Sequence, residues 1–76
     1  LRDRIVRDPD LNRYVNMVTT LVGEASPRYD ITYRTVIIRS PTVNSFSAPG
    51  GFIVITTALL DTCKSEAQLA SALAHE

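Results

Sequence analysis

A short apolar run that follows a glycine turn constrains the fold of this chain most strongly. Residues 52–56 read Phe-Ile-Val-Ile-Thr, so apolar side chains fall on both faces of an extended segment. This pattern predicts a central strand that helices cover on at least one side. Pro49-Gly50-Gly51 precede the run, and glycines that can adopt positive φ predict a hairpin. The other arm, residues 43–48, is polar enough to predict an edge strand.

Two segments before the hairpin also have regular patterns. Asp8-Pro9-Asp10 is typical of a helix start, with a capping carboxylate and a proline where its missing N–H costs nothing. A helix is predicted from Pro9 to Gly23 or Ala25. Its predicted apolar stripe is Leu11, Tyr14, Val15, Val18, Leu21 and Val22, and its predicted polar side is Asn12, Arg13, Asn16, Thr19 and Thr20. Residues 31–39 are rich in β-branched and aromatic types and predict a strand.

The hairpin is followed by a predicted helical turn at residues 57–62 and then by a last helix. Ser65 and Gln68 form a capping box that starts this helix. Leucines and alanines occupy most of its circumference, which predicts a buried helix and places His75 and Glu76 near the core. Buried ionisable groups need partners, and a metal site is one arrangement that supplies them. The alternative is that the helix ends here, with His75 at its negative end and Glu76 in water.

These elements predict one small α+β domain: an amino-terminal helix, a mixed or antiparallel sheet of about three strands with a Pro-Gly-Gly hairpin, and a buried final helix. The 8 basic and 8 acidic side chains give zero net charge, which argues against a nucleic-acid surface. The single cysteine, Cys63, excludes an intrachain disulfide, and it is interpreted as a packing residue. The sequence contains no apolar run long enough to span a bilayer, so we expect the chain as given to be soluble.

The order of the motifs resembles that of the zinc metallopeptidases of the CAAX-prenyl-protease and HtpX-like family. The resemblance covers about Val36 to Glu76 and rests on the strand, turn and helix motifs 40–60, 65–70 and 73–76. The family pattern is Asn-Ala-Phe-Ala, Pro-Gly-Gly, Val-Thr-x-Gly-Leu-Leu and Ser-Glu-x-Glu-Leu-x-x-Val-Leu-Ala-His-Glu. Ser45, Ser47, Ala58 and Gln68 depart from it. The preceding helix is similar to that of the soluble, exported branch.

The resemblance implies peptide-bond hydrolysis with Zn²⁺ as cofactor. His75 is then a zinc ligand and Glu76 the general base, while the second histidine of a His-Glu-x-x-His motif and a later glutamate ligand lie outside these residues. Asn44, Ser45 and Phe46 are expected to bind an extended polypeptide substrate by strand addition, or else to serve only as hairpin scaffold. The resemblance also implies a periplasmic or membrane-associated exported protein.

Residues 1–76 are therefore expected to be the amino-terminal part of one metallopeptidase domain. By itself this part is expected to be inactive, to bind zinc weakly and to self-associate through exposed apolar surface. The alternative from a different class is a non-catalytic module that captures peptides or a partner chain at its strand edge. A histidine four positions after His75 would favour the enzyme.

Overall fold

The computed structural model describes residues 4–25 and 32–75, and it has an α+β fold in which two helices pack on one face of a mixed sheet. The elements are α1 (Pro9–Glu24), β1 (Arg34–Ile38), β2 (Ser45–Ala48), β3 (Phe52–Thr56), α2 (Thr57–Thr62) and α3 (Glu66–Ala74). The sheet order is β1-β3-β2, with β1 parallel and β2 antiparallel to β3. The predicted central and edge positions of β3 and β2 are confirmed. The first strand is shorter than predicted, and Ile31 lies outside the described residues.

The predicted helix starts are also confirmed. Asp8 accepts hydrogen bonds from the backbone N–H groups of Asp10 and Leu11, at 3.0 and 3.3 Å. The Ser65 hydroxyl accepts from the N–H of Gln68 at 3.2 Å. The Gln68 side chain reaches back to the N–H of Lys64, one residue before the cap. Each cap provides partners for N–H groups that a helix leaves unbonded in its first turn.

One hydrophobic core joins both helices to the sheet. Its fully buried members come from α1, β1, β3 and α3: Val15, Val18, Ile37, Ile53, Ile55, Leu69 and Leu73. The three isoleucines occupy alternate positions on their strands and therefore share one face of the sheet. Helices α1 and α3 cover that face and contact each other above it. We call the face of the sheet that the two helices cover the helix face, and we call the opposite face the outer face.

Helix α1 buries a face that is rotated from the predicted stripe. Tyr14 and Leu21, predicted to be in the core, are 39% and 52% exposed, whereas Thr19, predicted to be on the polar side, is 2% exposed. The Thr19 hydroxyl donates to the carbonyl of Val15 at 2.9 Å and lies 2.6 Å from the Thr35 hydroxyl. Because the Thr19 proton is used for Val15, Thr35 donates to Thr19. These bonds offset the cost of burying both hydroxyl groups.

The free edge of β1 is occupied by side-chain and backbone groups. Asn16 accepts from the N–H of Thr35 at 2.8 Å and donates to the carbonyl of the same residue at 3.1 Å. Farther along the edge, the N–H of Val6 donates to the carbonyl of Ile37, and the N–H of Arg39 donates to the carbonyl of Arg4. The Asn16 amide thus replaces a neighbouring strand at one position. This arrangement protects an edge that could otherwise pair with another chain.

Helix α3 is buried on one side only. Among its described residues only Leu69 and Leu73 are buried, while Ala67 and Ala74 are exposed. The prediction of a helix buried around most of its circumference therefore differs from the structure. Small alanine side chains permit close packing but do not require it, and among the described residues α3 joins the core through Leu69 and Leu73.

The turn between β2 and β3 supports a stability prediction. Gly50 has φ +90°, and a Cβ built there meets the Phe52 ring at 3.5 Å, which is an ordinary contact. Backbone strain and not a clash therefore determines the effect of Gly50→Ala, which we expect to destabilise the chain by about 1–2 kcal/mol. Gly23→Ala is the matched control, because a Cβ there also meets a ring at 3.5 Å and the position is helical. Urea unfolding should show a lower free energy of unfolding for Gly50→Ala and no decrease for Gly23→Ala. Equal decreases in the two variants would contradict backbone strain as the cause.

Candidate active site

His75 follows the last residue of α3 and retains helical backbone geometry. Its φ and ψ are −69° and −23°, and its N–H donates to the carbonyl of Ser71 at 3.2 Å. The side chain is exposed, which corrects the prediction that it lies near the core. The reason is helical geometry, since two residues after the buried Leu73 the helix has turned by about 200° and points away from the core. Glu76 lies outside the described residues.

The described residues do not form a complete zinc site. Within residues 4–25 and 32–75, no group of three or more His, Cys, Asp and Glu side chains could hold a metal ion. His75 is the only histidine in the sequence. Zinc sites in hydrolases use three protein ligands. This part of the chain therefore offers one imidazole on an exposed helix end, where further ligands could approach it.

The predicted peptide-binding residues lie together on the edge strand. The backbone of Asn44 continues the ladder of β2, because its carbonyl accepts from the N–H of Thr56 at 3.2 Å. Its own N–H donates to the Thr56 hydroxyl at 3.2 Å. The Asn44 side chain accepts from the N–H of Ser45 at 2.9 Å. Phe46 follows in the same strand and is 43% exposed.

The register divides these residues between the two faces of the sheet. Ser45 pairs with Ile55, which is buried beneath the helices, so the Ser45 side chain is on the helix face. Phe46 pairs with Val54 and is on the outer face. The structure thus brings Asn44, Ser45 and Phe46 onto one edge but directs the phenylalanine away from the side on which α3 packs.

An open apolar groove lies between the carboxyl-terminal half of α1 and helix α3. Its volume is about 580 Å³, and its lining includes Val22, Gly23, Tyr33, Ala70 and Ala74. Of the two alanines, Ala70 is half-buried against the core and Ala74 is exposed. Apolar surface of this kind favours association with further protein.

Asn16 is the important residue that the sequence analysis missed. It was assigned to the polar side of α1, although it binds the backbone of β1 at the edge. The sequence contained one signal for this role: Asn16 is a polar residue one turn before Thr19, next to the residues that α1 buries. That signal was too weak to identify a strand partner 19 positions away.

No helix among the described residues is both long and apolar enough to cross a bilayer.

Comparison with known proteins identifies similarity along nearly the whole chain. The model of peptidase family M48 matches residues 6–76, a range that includes the candidate site. The mitochondrial metalloendopeptidase OMA1 of Schizosaccharomyces pombe is 38% identical over 63 residues, which cover 83% of this chain and 19% of that protein. The beta-barrel assembly-enhancing protease of Escherichia coli is 29% identical over 72 residues, which cover 95% of this chain and 15% of that protein. The chain thus spans less than a fifth of the length of these relatives.

Proposed function

The chain belongs to peptidase family M48, and from this premise we propose that it forms part of a zinc-dependent metalloendopeptidase domain that hydrolyses unfolded or misassembled polypeptides. The observation that carries the proposal is the family match, which continues through residues 75 and 76. His75 is the residue that follows the capped helix α3. Both relatives named above are described as proteases.

In this proposal His75 and Glu76 begin a His-Glu-x-x-His motif. The helical backbone of His75 supports it, because a residue four positions later on a continuing helix lies about 40° around the axis, on the same face. His75 is one zinc ligand, and the second histidine and a later glutamate come from beyond residue 76. Zinc supplies a Lewis acid for peptide hydrolysis. Glu76 takes a proton from the attacking water and passes it to the leaving amine.

The edge strand β2 is the proposed binding site for substrate. Within residues 4–25 and 32–75, β2 has a strand neighbour on one side only, whereas Asn16 and residues 4–6 occupy the edge of β1. In this proposal an extended polypeptide lies along the sheet edge at Asn44, Ser45 and Phe46, a mode of binding that does not require one sequence. Recognition of this kind suits unfolded segments, whose backbone is accessible.

Residues 1–76 alone are proposed to be inactive. They supply one imidazole, which is too few ligands for tight zinc binding. Among the described residues the groove between α1 and α3 is open and apolar, so we expect concentration-dependent self-association in sedimentation experiments. We also propose an exported or membrane-associated location, which the similarity to a beta-barrel assembly-enhancing protease supports.

The alternative function is a non-catalytic module that holds peptides at β2. Its supporting observation is the edge position of this strand, which does not require a metal. The two functions differ in their products. We expect the protein expressed from its complete gene to cleave an unfolded protein such as reduced casein, and mass spectrometry should detect new termini. Retention of intact casein without new termini would support the binding module and contradict the peptidase.

A further inference from the structure

Asn44 is an exposed residue whose main chain and side chain are both held by hydrogen bonds. Its N–H donates to the Thr56 hydroxyl at 3.2 Å, and its carbonyl accepts from that hydroxyl at 3.3 Å and from the Thr56 N–H at 3.2 Å. Its side-chain oxygen accepts from the N–H of Ser45 at 2.9 Å. Asn44 therefore has a fixed conformation although its side chain faces water.

The Thr56 hydroxyl connects Asn44 to two other parts of the fold. Thr56 is 3% exposed, is the last residue of β3 and caps α2, where its hydroxyl accepts from the N–H of Leu59 at 3.2 Å. A hydroxyl group has one proton to donate and can accept two hydrogen bonds. The bonds to Asn44 and Leu59 use this whole capacity. One buried hydroxyl thus ties Asn44 to the central strand and to the start of α2.

The next threonine makes a similar pair of bonds at the other end of the connection between β1 and β2. The Thr57 hydroxyl accepts from the N–H of Ser40 at 3.2 Å and donates to the carbonyl of Ser40 at 3.1 Å. Residues 40–44 are therefore held at both ends by successive threonines. Thr57 acts on Ser40, whereas Thr56 acts directly on the residue proposed to contact substrate.

We propose that Thr56 is a positioning residue for substrate, because its hydroxyl holds Asn44 in the conformation that contacts the polypeptide. The proposal rests on the proposed function, in which the polypeptide lies along the sheet edge at Asn44. It does not depend on the main-chain groups of Ser45 and Ser47. A contact residue that is already ordered loses less conformational freedom when substrate binds, so binding is tighter.

Thr56→Val in the protein expressed from its complete gene tests this role. Valine has a similar shape but leaves the N–H groups of Asn44 and Leu59 without the hydroxyl. We expect KM for a quenched fluorescent peptide to rise about three- to tenfold, the effect of one hydrogen bond. The kcat should change by less than about twofold, because the lost bonds involve no proposed catalytic group. Thr56→Ser keeps the hydroxyl and should restore KM.

Thr57→Val is the matched control, since it removes the corresponding bonds at Ser40. Its KM should stay within about twofold of the unchanged protein. Circular dichroism confirms that each variant is folded. If Thr56→Val does not fold, Thr56→Cys replaces it, because a thiol is only a weak hydrogen-bond acceptor. The direction of the expected KM change is the same.

Combination with Asn44→Ala separates positioning from a general effect on the fold. Asn44→Ala alone should raise KM, and adding Thr56→Val should then raise it by less than about twofold, because coupled residues are not additive. This result, together with rescue by Thr56→Ser and normal KM in Thr57→Val, supports the proposal.

The remaining outcomes overturn different claims. An unchanged KM in Thr56→Val, or an equal rise with and without Asn44→Ala, overturns the role of Thr56 and leaves the proposed function intact. An equal rise in Thr57→Val also overturns it, because the effect would then belong to the whole connection. An unchanged KM in Asn44→Ala overturns substrate contact by Asn44 and, with it, this proposal. Absence of cleavage by the unchanged protein overturns the proposed function and the positioning role together.

Discussion

Replacing Glu76 with glutamine is expected to lower the peptidase turnover of the protein expressed from its complete gene by about 10²–10⁴-fold. A positioned general base contributes a factor of this size, and glutamine has similar shape but cannot accept the proton. Zinc content should remain unchanged, because in the proposed site Glu76 does not bind the metal. Initial rates on a quenched fluorescent peptide, together with metal analysis of the same samples, measure both quantities.

Glu66→Gln is the control for this substitution. Glu66 is an exposed acid in the first turn of α3, so the change removes the same charge at a distance from the candidate site. We expect its turnover to stay within about twofold of the unchanged protein. Equal activity of Glu76→Gln and Glu66→Gln would contradict the role of Glu76 as the base.

Asn16→Ala is expected to destabilise the 76-residue chain by about 2 kcal/mol. The substitution leaves the N–H and the carbonyl of Thr35 without the partners that they have at 2.8 and 3.1 Å. Each partly buried group that loses its partner costs about 1–3 kcal/mol, and the higher helix propensity of alanine offsets about 0.5 kcal/mol. For a domain of this size the midpoint of thermal unfolding should fall by about 8–16 °C. Circular dichroism melts measure the change.

Thr20→Ala provides the comparison on the same helix. The Thr20 hydroxyl donates only to the carbonyl of Asn16, at an exposed position. Its removal should change the free energy of unfolding by less than about 0.5 kcal/mol. If Asn16→Ala unfolds at the same temperature as Thr20→Ala, the side-chain cap on β1 does not contribute to stability, and the proposed protection of that edge is wrong.

Local signals in the sequence were sufficient to predict most of the fold. The helix start at Asp8, the Ser65 cap, the glycine turn and the central position of β3 each depend on residues that are close together in the chain. Turn and cap residues act through local backbone geometry, so their structural role does not depend on tertiary packing. These predictions are confirmed by the structure.

Features that depend on distant contacts could not be predicted in the same way. The helical pattern predicts Thr19 and Asn16 to be surface residues, but both form hydrogen bonds with Thr35, on a strand that follows later in the chain. A polar side chain can be buried once a partner is present, and the helical period does not reveal that partner. The exposure of His75 depends on which side of α3 is buried, and the apolar composition of the helix does not identify that side.

Metal analysis of the protein expressed from its complete gene tests most directly the proposal that His75 binds zinc. Ser71→Ala is the control, since Ser71 is exposed one turn earlier on the same helix. We predict about one zinc per chain in the unchanged protein and in Ser71→Ala, and a loss of at least tenfold in zinc affinity for His75→Ala. Zinc affinity in His75→Ala equal to that of the unchanged protein would contradict the assignment.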